Sequence, residues 1–201
     1  MSRKVFIILS IWFCVAILIG VSGIFYRVPA PFVPLSIWSP VILTVLIFWS
    51  SNDFREWIYE IDFRLLMILH LTRFVGIWFL VLYSRGEFPE EFAVKGGWGD
   101  ILAAVTAILV GLFFVPLKNR VSWTAVLVWN IFGFLDILLV VATGAKLLFT
   151  NYDSMIKLTT FPLNLLPLFI VPIIIATHFL IFAKLWKEKA WFLSDKILAK
   201  G

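Results

Sequence analysis

The sequence predicts an all-α fold, a six-helix transmembrane bundle, and three observations carry that expectation. The chain is 62% hydrophobic and only 14% charged, with a mean hydropathy of +1.03; soluble domains run at about half and about a quarter. Apolar runs of about 20 residues, enough for a helix to cross a hydrocarbon core of about 30 Å, recur six times. The segments between them are too short for a soluble domain, so residues 1–201 read as one transmembrane domain.

The first span is expected near 5–26. It follows Ser2, Arg3 and Lys4, as a signal peptide would, but its apolar stretch is longer than a signal's roughly 7 to 15 residues and lacks an A-x-A site, so it reads as uncleaved. The second, near 34–50, is the weakest, being short and interrupted by Pro40. Spans three to six follow near 63–84, 100–117, 121–144 and 161–185, the last carrying Pro162, Pro167 and Pro172 at intervals of five. Between spans three and four, RGEFPEEFAVKGGWGD places a proline at a first helical position, two glutamates after it and Gly96 where a helix could stop. That predicts a short outer-surface or re-entrant helix. Residues 186–201 read as a basic interfacial helix, with Trp186, Trp191 and Phe192 at headgroup level and lysines toward anionic lipid.

Positive residues crowd one side of this topology. Arg3, Lys4, Arg55, Arg64, Lys118, Arg120, Lys184, Lys187, Lys189, Lys196 and Lys200 oppose Arg27, Arg85, Lys95, Lys146 and Lys157, which sets both termini in the cytoplasm. The net charge of +5 is therefore topological and implies no nucleic-acid partner. Cys14 is the single cysteine, so neither an intrachain disulfide nor a thiolate metal cluster can form within one chain.

Polar residues inside the spans are few: His70 and Arg73 on span three, Asn130 and Asp136 on span five, His178 on span six. Each costs about 2.5 to 3.5 kcal/mol on insertion scales if it is a central charge, so each should face the bundle interior and have a partner. At 1.5 Å per residue, Arg73 and Asp136 differ in depth by roughly 7 Å, within reach of a guanidinium stem, and are expected to pair. His70 and His178 both fall roughly 10 Å from the cytoplasmic edge, which permits a bis-imidazole site for a metal ion or a b-type haem. Asp100, after Gly99 and before an apolar run, reads as the N-cap of span four or an outer ion site. No paired metal-ligand histidines at helical spacing, nucleophile elbow or phosphate loop is present, so catalysis is not indicated.

HLTRFVGIWFL, GEFPEEFAVKGGWGDI, WNIFGFLDILLV and LPLFIVPIIIATHFL together resemble a family of small, functionally uncharacterised bacterial polytopic membrane proteins. The likeness covers residues 70 to about 180 and leaves out the first two spans and the basic tail. Its pattern falls on His70, Arg73, Gly76, Pro89, Phe92, Ala93, Gly97, Gly99, Asp100, Trp129, Asn130, Gly133, Asp136 and His178. The resemblance implies that the polar residues form one site and carries no activity with it. The expectation is an inner-membrane protein with a polar cavity around Arg73, Asn130 and Asp136, serving transport or sensing of protons or a small solute. The alternatives are a b-type haem protein using His70 and His178, and a structural partner in a homo-oligomer or larger membrane complex.

Overall fold

The computed structural model describes residues 2–198, with side chains from residue 3 to residue 189. Its elements are helices α1 (Ser2–Val21), α2 (Phe32–Ser50), α3 (Asn52–Glu60), α4 (Phe63–Ile68), α5 (Val75–Ser84), α6 (Glu90–Phe113), α7 (Arg120–Thr150) and α8 (Val171–Leu198). Six segments are long and apolar enough to cross a membrane: Arg3–Val21, Phe32–Ser50, Phe63–Ser84, Glu90–Phe113, Arg120–Thr150 and Leu166–Lys189. Large apolar side chains such as Phe6, Trp49, Leu112 and Leu135 point outward from them, while charged and amide groups lie inside. That inversion of the soluble pattern is what a lipid surround requires.

Local chemistry explains several boundaries. Ser51 accepts a hydrogen bond from the Phe54 amide and starts α3, an amphipathic turn that buries Phe54 and Ile58. Asp62 caps α4 through the Arg64 amide at 2.7 Å. Asn119 and Ser122 form a reciprocal capping box that opens α7. Span three is not one α-helix: the 3₁₀ segment Leu69–Phe74 joins α4 to α5. Three residues per turn bring His70 and Arg73 directly above one another on the inner face.

The region between spans three and four departs from expectation. No separate surface or re-entrant helix forms; PEEFAVKGGWGD runs straight into span four, and α6 is continuous from Glu90 to Phe113. Gly96, where a helix could stop, instead lies inside α6 against Val140, and its neighbour Gly97 serves close approach. A Cβ on Gly97 would meet the Gly76 carbonyl oxygen at 2.8 Å, so α5 and α6 touch backbone to backbone. Away from water, the helix also satisfies its own amides only by continuing.

Span six begins irregularly, in line with its prolines. The 3₁₀ segment Tyr152–Thr159 and the π-turn Leu166–Ile170 precede α8, and freed carbonyls there find partners: Leu168 O accepts from Trp12 Nε1 at 3.0 Å and Pro167 O from Ser36 Oγ at 3.3 Å. These bonds, with Asn164 Nδ2 donating to Gly20 O at 3.2 Å, dock α1 and α2 against the break. The backbone of α8 runs on to Leu198 without interruption, so residues 186–198 continue the last span's helix rather than forming a separate one. Trp191, Phe192, Lys196 and Lys200, on which the interfacial reading of the tail rests, lie outside the residues whose side chains are described.

The interior is layered. One apolar cluster gathers Phe79, Phe88, Phe92, Ile137, Met155 and Ile174, and a second gathers Phe63, Met67, Ala107, Trp129, Ile181 and Leu185. Along span three, α6, α7 and α8 alike, the polar residues fall between the positions that feed one cluster and those that feed the other. The polar groups thus form a layer sandwiched by two apolar cores.

Candidate functional site

Arg73 is the centre of the layer. Its side chain is 1% exposed and donates from Nε to Asp100 Oδ1 at 2.7 Å, from Nη1 to the Gly133 carbonyl at 2.9 Å and from Nη2 to Asp136 Oδ2. The expected pairing with Asp136 is present, and a second carboxylate joins it. Asp100 is not a helix cap at the outer end: it is an interior residue of α6, about 15 Å from that helix's first residue. The cause is the fusion of the loop helix with span four, which carries Asp100 into the bundle.

Small residues make room for these groups. A side chain on Gly99 would fall on the Asp136 carboxylate. One on Gly133 would lie 2.9 Å from His178 Cε1 and 3.3 Å from Arg73 Nη1. The guanidinium and an imidazole therefore meet over the same patch of bare helix backbone.

The two histidines are fully buried neighbours, their ring centroids 4.4 Å apart. His70 Nε2 lies 3.1 Å from Thr177 Oγ1, and that hydroxyl donates to the Ile174 carbonyl at 2.9 Å. With the threonine's one proton on that carbonyl, Nε2–H of His70 is the donor and Nδ1 carries the lone pair. His178 Nδ1 lies 2.8 Å from Asn130 Oδ1, while Asn130 Nδ2 donates to the His178 carbonyl at 3.1 Å. The amide oxygen thus faces the ring, so Nδ1–H donates and Nε2 is bare. Among the described residues neither His70 Nδ1 nor His178 Nε2 has a hydrogen-bond partner. Trp129 closes the site, its ring 5.0 Å from His70 and 5.8 Å from His178, with Nε1 donating to Ala103 O at 3.2 Å.

A cavity of about 60 Å³ adjoins the Arg73–Asp100 pair, reaching between Ile137, Val140 and Ile174 toward Phe92 and Leu158. It holds several waters by size, yet its walls are apolar beyond the charged end. His70, Arg73, Asn130, Asp136 and His178 are brought together as one connected layer, and Asp100 is added to it from a different expected role. Thr177, which sets the tautomer of His70, was not among the expected site residues. In an apolar helix a threonine ordinarily bonds back to its own helix, as this one also does, and nothing in the sequence distinguishes the two uses.

Among the described residues no group of three or more His, Cys, Asp or Glu side chains could hold a metal ion. The imidazole centroids lie 4.4 Å apart with the rings tilted by 58°, so a haem held between His70 and His178 would need the rings to move apart and turn a nitrogen each toward one iron.

No curated protein and no solved structure matches the chain. The family described as a domain of unknown function, DUF8737, matches residues 30–186. The match takes in α2, which the resemblance had left outside, and excludes α1 and the tail. It spans most of the sequence and holds every residue of the polar layer, and the chain belongs to this family, DUF8737.

Proposed function

We propose that the polar layer is a proton-binding site of a bacterial inner-membrane protein, a single transmembrane domain with both termini cytoplasmic, that moves or senses protons or a small solute carried with them. One observation carries the reading: a single buried guanidinium is shared by two carboxylates. With both acids ionised the cluster holds one uncompensated negative charge, and in a low-dielectric interior that charge is expensive. A proton is the smallest group that neutralises it. Beside the cluster stand two imidazoles, each with one ring nitrogen that has no hydrogen-bond partner among the described residues. From the proposed cytoplasmic side outward the order is histidine pair, Arg73 cluster and a cavity whose walls beyond Arg73 and Asp100 are apolar.

The test is proton flux in vesicles of purified protein loaded with a pH-sensitive dye. Flux in the unaltered protein that falls about tenfold or more in Asp100→Asn and Asp136→Asn supports the reading, since removal of one acid–base participant typically costs about 10²-fold or more. Flux that is identical in both variants and in His70→Ala would sink it. A second reading treats the layer as a structural clasp in a homo-oligomer or a larger membrane complex, and is favoured by Arg73 tying span three to both α6 and α7. In that case the variants melt at lower temperature and no flux is seen in the parent. A Soret band in the purified protein, lost in His178→Ala, would instead favour haem b. Anionic lipid remains the proposed partner of the basic tail.

A further inference from the structure

A second feature of the molecule shares Trp129 with the histidine site. Between α6 and α7 runs an open groove of about 690 Å³, walled by Val110, Phe114, Val128, Trp129 and Phe132 and ending at Arg120. From Val121 to Phe132 it extends about 17 Å along α7. That is close to half of the roughly 30 Å hydrocarbon core, the depth of one leaflet. Apart from Thr106 and Thr124 its lining is apolar over that length, and its one charged wall residue stands at the end where α7 begins, the position of a headgroup. Arg120 is exposed, Lys118 is exposed two residues before it, and among the described residues neither forms an ion pair.

We propose that this groove binds one acyl chain of an anionic phospholipid from the leaflet on the Arg120 side, with the headgroup phosphate held by Arg120. Length, lining and charge each select this occupant. A helix from a second copy or another protein would need an apolar seam across the full core, whereas the groove stops at mid-depth against Trp129 and Phe132. A guanidinium at the headgroup end gives bidentate hydrogen bonds to phosphate and favours net-negative lipid over zwitterionic lipid. The inference is independent of whether the histidine layer binds protons.

Native mass spectrometry of the purified full chain, titrated with equal amounts of phosphatidylglycerol and phosphatidylcholine of the same chain length, tests it. Phosphatidylglycerol should be retained about fivefold more than phosphatidylcholine, and Arg120→Gln should abolish that preference. Val128→Trp, which fills the groove from a side chain that is already 59% exposed, should reduce retention of both lipids. Equal retention of the two lipids by the unaltered protein, or a preference unchanged in Arg120→Gln, overturns the proposal. Mapping with a phosphatidylglycerol carrying a photoreactive group mid-chain needs no variant. Labels on α7 near Phe132 support the groove, and labels confined to other helices, or cross-links to a second protein there, overturn it.

Discussion

Arg73 shows how much one side chain settles. Its planar fork reaches two carboxylates and a carbonyl at once, from a backbone segment wound as 3₁₀ rather than α. A lysine at this position would bring one charge but no fork, and could not serve three acceptors on two helices. Arg73→Lys is therefore expected to destabilise the bundle by about 1 to 3 kcal/mol, the cost of leaving a buried acceptor unsatisfied, despite keeping the charge. Unfolding in a mixed-micelle titration measures this; a variant as stable as the parent would mean that charge, not geometry, holds the layer. The identity of the residue was legible in the sequence, because an arginine in an apolar span demands a partner. Its second partner was not, because Asp100 follows a glycine-rich stretch and looks like a cap.

At the scale of elements, the irregular entry to span six is held at the outer surface by ion pairs. Lys157, in the 3₁₀ segment Tyr152–Thr159, bonds Glu87 at 2.8 Å, and Lys146 on α7 bonds Glu91 at 2.8 Å. The hydrogen bond from Lys157 first, and the nearby positive charges of Lys157 and Arg85 second, hold the Glu87 carboxyl below its ordinary value of 4.5. A lowered folded-state value means that the pair contributes above the ordinary carboxylate range and is lost as pH falls through the lowered value. Protection of the amides in residues 152–159, taken relative to the intrinsic exchange rate at each pH, should therefore fall on acidification through that range, and in Glu87→Gln it should be low already at neutral pH with the acid-dependent part gone. An unchanged exchange profile in the variant would show that packing of Met155 and Leu158, not the ion pair, secures the segment. Proline spacing made a broken span six readable in advance. The continuity of α6 was not readable, since Gly97 serves the contact with α5 while Gly96 and Gly99 face α7, and a glycine that stops a helix has the same letter as one that lets two helices touch.

Across the whole molecule, α1 stands apart. Most of its side chains face outward; Ala16 and Gly20 are its buried positions among the described side chains, and it lies outside the family match. It is fastened by Trp12 to Leu168 O, by Asn164 to Gly20 O, and by the contact of Trp12 with Phe169, ring centroids 4.9 Å apart. Removal of α1 alone, residues 1–21, is expected to leave a folded five-span bundle with its polar layer intact, lowering stability by only about 1 to 3 kcal/mol, the scale of these few bonds. A monodisperse truncated chain that melts cooperatively in detergent meets the expectation; aggregation would make α1 part of the folding core. The sequence by itself determined the class of the molecule, the spans and the short inventory of buried polar residues, because hydropathy and the cost of charge in lipid act residue by residue. Only the tertiary structure decided that both aspartates share one arginine, which imidazole nitrogens stay bare, and that His70 and His178 are neighbours. Those facts depend on the rotation and separation of helices, and backbone approach at Gly76, Gly97, Gly99 and Gly133 sets both.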